Sequence, residues 1–120
     1  MTTKDRPDHF YDIVGKVFYA AAFSDKVIKP EEIETLKKMI HTAWTDHERI
    51  TDSFFECINL SYDKSKALNE LRLHRERYPE LFDEKTKKRI IDTAFKIVNS
   101  SSGTNKSEIV FISKLTNTLK

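Results

Sequence analysis

The stretch VFYAAAFSDKVIKPEEIETLKKMI, Val17 to Ile40, decides the fold. Its first seven residues are apolar on more than one side, which suits a helix enclosed by neighbours. Ile33, Leu36 and Ile40 then recur three and four apart, the mark of a helix with one buried stripe. Pro30 fits a first helical position, because its missing N–H would have had no intrahelical acceptor. Glu32, three beyond Lys29, can return its carboxylate to the Lys29 N–H, and Ile28 and Ile33 are spaced as a hydrophobic staple. Two helices joined by a turn is the local reading.

Could the turn hold a cation? An EF-hand register with Glu32 twelfth places Ala21 and Phe23 where oxygen ligands belong, and Lys26 where the loop needs glycine. That excludes an EF-hand. Asp25 still needs a counterpart, since a carboxylate at the end of the first helix opposes the helix dipole. Lys26 or Lys29 can supply it, and so can a weakly bound divalent cation. Glu31 and Glu32 favour a helix N-terminus by about 0.3–1 kcal/mol each.

Outward from this stretch the same periodicity continues. Phe10, Ile13, Val14, Val17, Phe18 and Ala21 form the first helix, expected to be central. Ala43 and Trp44 extend the second. TDHE at Thr45–Glu48 has capping-box spacing and opens a segment with Ile50, Phe54, Cys57 and Ile58. Asp63 can cap a fourth helix, with Leu68, Leu71 and Tyr78 inward and Arg72, Arg75 and Arg77 outward. Pro79 limits that helix, because the residue before proline is pushed out of the helical region. Leu81 and Asp83 begin a fifth, burying Ile90, Ile91, Ala94, Ile97 and Val98. SSSGT at Ser100–Thr104 breaks the chain, and Asn105 and Glu108 start a last helix on the stripe Ile109, Ile112, Leu115 and Leu119. The expectation is an all-α bundle of about six short helices in one domain spanning 1–120.

With a shift of 76 positions the helix–turn–helix at 10–44 matches the helix–turn–helix at 86–119 in pattern, pairing Ala22 with Val98, Asp25 with Ser101, Glu32 with Glu108, Ile33 with Ile109 and Leu36 with Ile112.

These residues resemble the TerB-like (tellurite-resistance) family. VFYAAAFSDKVIKPEEIETLKKMI is similar to its first helical hairpin, an Ala-rich helix followed by Asp-Gly-x-Ile, a short spacer, Glu and a Leu-containing helix. AFKIVNSSSGTNKSEIVFISKLTNTL, Ala94 to Leu119, looks like the second copy, and the likeness covers about residues 8–119. It implies two pseudo-symmetric helical hairpins, a non-enzymatic role in stress response, and a link to metal ions and membrane-associated partners. The metal positions it carries over are Asp25, Glu32 and Glu108. Lys26 stands where the family has glycine, Lys29 at a commonly acidic place, and Ser101 where a second Asp belongs, which weakens any cation site.

Composition narrows the roles. Gly15 and Gly103 are the only glycines and Cys57 the only cysteine, so neither tight hairpins nor a disulfide or multi-Cys metal framework is expected. No apolar run approaches the ~20 residues of a membrane helix, and MTTKDRPDHF lacks the core of a signal peptide. A cytoplasmic location is the expectation. The net charge is +2, with 8 Lys/Arg against 11 Asp/Glu in residues 1–60 and 13 against 8 in 61–120. Such polarity steers partners.

His9, His41, His47 and His74 lack the i, i+4 spacing of paired ligands and read as surface residues. Cys57 reads as a small core residue, since nothing in the sequence marks an activating base. No phosphate loop, nucleophile elbow or catalytic carboxylate pair is present, so no enzyme is expected. RLHRERY and KTKKR offer Arg72, Arg75, Lys87, Lys88 and Arg89 to an anionic partner. Interleaved glutamates make nucleic acid an unlikely one. A protein-interaction module without cofactor is the first expectation. A weak divalent-cation binder at Asp25 and Glu32 and a binder of anionic partners through 72–89 are the alternatives.

Overall fold

The computed structural model describes residues 9–23, 30–44, 47–99 and 106–120, with backbone alone at 30–32, 47 and 106–108. Among the described residues there are six α-helices and no strand: α1 (Phe10–Ala22), α2 (Pro30–Ala43), α3 (His47–Leu60), α4 (Ala67–Arg77), α5 (Glu84–Val98) and α6 (Lys106–Leu119). Short 3-10 turns at Lys64–Lys66 and Pro79–Leu81 lead into α4 and out of it.

The first helix is central, as its composition requires. Val14, Val17, Phe18 and Ala21 have no exposed surface, and α1 packs against α3, α4, α5 and α6. Helix α3 crosses it at Gly15. A Cβ there would stand 2.6 Å from Ser53 Cβ and 2.7 Å from the Ile50 carbonyl oxygen. The Ser53 hydroxyl donates to the Asp12 carbonyl at 2.7 Å, tying the helices together at that contact. Close approach explains a glycine mid-helix, where alanine would otherwise be favoured by about 1 kcal/mol.

Helix α2 adds Leu36 and Ile40 to the core and packs on α3 and α5. Trp44, just beyond α2, lies against Phe18 and donates from Nε1 to Thr93 Oγ1 at 3.2 Å. Asp83 caps α5 by accepting from the Thr86 N–H at 2.8 Å, and Asp63 accepts from Ser65 N–H ahead of α4. Pro79 stops α4 where expected.

Two side chains depart from expectation. His74 is not a surface histidine: it is 1% exposed and lies among Phe10, Tyr78 and Phe82. Its spacing from Ala67 and Leu71 makes it the third member of the buried stripe of α4. Ile109 belongs to the stripe of α6 by spacing, yet it is 59% exposed, while Leu115 and Leu119 are buried. Phe111 and Ile112 are partly buried against the core, so among the described apolar residues of α6 it is Ile109 and Val110 that face away from it.

Helices α2 and α6 are each 14 residues long, and their first residues, Pro30 and Lys106, are 76 positions apart. Their neighbours differ. Helix α2 packs on α3 and α5, whereas α6 packs on α4, α5 and α1.

Candidate functional site

The end of α3 organises a polar tie. Ser61 adopts φ 52°, a left-handed conformation usually given to glycine. Tyr62 N–H then returns to the Cys57 carbonyl at 2.9 Å and Ser61 N–H to the Ile58 carbonyl at 3.3 Å, a Schellman ending. This reversal brings Tyr62 to α4, where its hydroxyl donates to Glu70 Oε2 at 2.6 Å. Lys16 of α1 donates to Glu70 Oε1 at 2.8 Å and lies 5.1 Å from the centre of the Tyr62 ring. One half-buried carboxylate thus joins α1, α4 and the end of α3.

Burial, then the hydrogen bond to Glu70 and its charge, push the Tyr62 hydroxyl well above its usual range. Burial also raises the neighbouring Cys57 thiol to about 11, with Lys16 opposing and Glu56 and Glu70 reinforcing that rise. A nucleophilic cysteine needs the opposite displacement. The cluster therefore fastens helices together, and Cys57 is a core residue as its sequence context suggested.

A second feature is open to partners. Helices α4 and α6 run in the same direction, with Leu68 beside Val110, Phe111 and Lys114, and Arg75 donating to the Lys120 carbonyl. The channel between them begins as a cleft of about 370 Å³ lined by Ala20, Lys64, Ser65, Leu68, Val110, Phe111 and Lys114. Leu68 and Lys114 also border a second, shallower recess further along the same two helices, between Asn69 and Arg72 of α4 and Asn117 and Thr118 of α6. Val110 is 45% exposed at its mouth. Among the described lining residues there are three cationic side chains and no carboxylate.

The five basic residues singled out by sequence are not gathered on one face. Arg72 and Arg75 lie along α4 beside α6, with Arg72 bridged to Glu76 at 3.1 Å. Lys87 and Lys88 sit on the opposite flank of α6, facing Thr116, Leu119 and Lys120, and are paired with Glu84 at 3.4 Å and Asp92 at 3.0 Å. Arg89 turns towards α2, its guanidinium 5.3 Å from the centre of the Trp44 ring. Helix α6 separates the first pair from the second.

Glu32 and Glu108 each stand third in their helix, the first-turn place expected of them. Their side chains, and Asp25 as a whole, lie outside the described residues. Among the described residues no group of three or more His, Cys, Asp or Glu could hold a metal ion, and no helix is long and apolar enough to cross a membrane.

Sequence reasoning passed over Lys64, Val110 and Lys114. The unbroken run IVFI at 109–112 was the available signal, since one stripe cannot bury four consecutive apolar residues. Comparison with family models, curated proteins and solved structures finds no match.

Proposed function

We propose that this chain is a non-catalytic helical module that docks a protein partner in the α4–α6 channel. The exposure of Val110 beside an apolar floor of Ala20, Leu68 and Phe111 carries the reading. Exposed apolar side chains bordering a cleft with a polar rim are the ordinary makings of a recognition site. The resemblance to TerB-like proteins would place such a module in a stress-response system. Supporting it are the Ala-rich buried α1 and the recurrence of helix boundaries 76 positions apart.

Affinity capture with the wild-type chain and with Val110→Glu tests the proposal. A partner retained by the wild type and lost by the variant, at unchanged helical content and melting temperature, is the expected result. Equal retention by both would remove the channel from the function.

A further inference from the structure

We infer that the occupant of the α4–α6 channel is an amphipathic helix whose apolar stripe is flanked by Asp or Glu. The inference rests on the docking reading above and specifies the partner's chemistry.

Dimensions come first. Val110 to Thr118 spans eight helical steps, about 12 Å at 1.5 Å per residue, or roughly two turns. That length accommodates apolar residues at i, i+3 or i+4, and i+7 of a docked helix. The apolar end, Ala20, Leu68, Val110 and Phe111, receives the stripe. The other end, with Asn69, Asn117 and Thr118, offers amides and hydroxyls suited to peptide groups and polar side chains, and poorly suited to the tail of a fatty acid.

Charge selects the flank. Lys64 and Lys114 stand at the apolar end, and among the described residues neither is paired with a carboxylate; the Lys64 ammonium donates to the neutral Phe23 carbonyl. Arg72 adds a third cation further along, shared with Glu76. The other clefts differ. Between α1 and α4 the lining carries Glu70 and Glu76 against Arg77, and between α5 and α6 two of the lysines are already paired with Glu84 and Asp92. Of these clefts, the one along α4–α6 offers a carboxylate-flanked helix cations with no carboxylate in the described lining, and complementary rims set partner choice and association rate.

The test is selection of displayed random 16-residue peptides on the full chain, with counter-selection on Val110→Glu. Expected are peptides with helical apolar spacing and excess Asp/Glu, binding the wild type about tenfold or more tightly than Val110→Glu. Lys114→Glu should weaken them, and added salt should as well. Peptides that depend on Val110 but carry no acidic bias would overturn the inference while leaving the docking reading standing. Peptides wholly indifferent to Val110→Glu would sink both. Sedimentation showing a dimer dissociated by Val110→Glu, or dodecanoate binding that requires Val110, would assign the channel to a second copy or to an acyl chain and overturn the inference.

Discussion

Tyr62 donates its hydroxyl proton to Glu70 Oε2 at 2.6 Å, across the boundary between the end of α3 and the face of α4. Because Glu70 also accepts from Lys16, one carboxylate holds α1, α4 and the end of α3, and each donor accounts for one of the two ties. Tyr62→Phe deletes one hydrogen bond to a charged acceptor that is about one-third exposed, with the ring contacts kept. The expected loss is about 1–2 kcal/mol, read as a lower urea midpoint at unchanged slope.

Alkaline pH should expose the same neighbourhood. The folded-state Cys57 thiol titrates at about 11, above its usual 9.0, so the fold favours the neutral form. Its contribution is complete below pH 9 and is lost as pH rises towards 11. Cys57→Ala removes that contribution, so its stability should fall less steeply between pH 9 and 11 than the wild type's. The Tyr62 hydroxyl, raised from 10.0, acts in the same direction above pH 10. Parallel urea titrations at pH 8, 9, 10 and 11 check this, and coincident slopes would show that Cys57 is not held neutral.

Gly15→Ala tests the α1–α3 crossing. Propensity alone favours the alanine, yet its methyl would press on Ser53 and the Ile50 carbonyl at under 3 Å. Overpacking should win by about 1–3 kcal/mol, so the variant unfolds at lower urea. A stabilised variant would mean that the helices can part at no cost.

Ser61→Gly is expected to act in the opposite sense. A non-glycine residue at φ 52° carries left-handed strain of about 1–2 kcal/mol, partly offset by the greater unfolded-state freedom of glycine. A net gain of about 0.5 kcal/mol should appear as a higher melting temperature.

Histidine replacement separates core from surface directly. His74→Ala empties a site packed by Phe10, Tyr78 and Phe82 and should cost about 2–4 kcal/mol. His41→Ala, at an exposed position, should cost well under about 1 kcal/mol.

The helices were legible because their punctuation is local. Pro30, Pro79 and Asp83 act through the backbone of their own turn, and three-and-four spacing needs no knowledge of neighbours. His74 was misplaced because imidazole is judged by type, whereas its spacing from Leu71 already put it on the buried face. Grouping Arg72, Arg75, Lys87, Lys88 and Arg89 failed for another reason. Whether those residues share a face depends on where α6 lies, and α6 is seated through Leu115 and Leu119, which are buried and 26 to 47 positions away from them in sequence. The α4–α6 channel is equally non-local. IVFI announces surplus apolar surface, but only packing shows that Leu68 and Ala20 border it.

Amide chemical-shift mapping of the chain against an acidic amphipathic peptide from the selection tests most directly that α4 and α6 hold a partner between them. The predicted result is saturable shifts centred on Leu68, Asn69, Val110, Phe111, Lys114 and Asn117, absent in Val110→Glu. Shifts centred instead on Glu84–Asp92 or on Ile13, Leu73 and Arg77, with this channel silent, would contradict it.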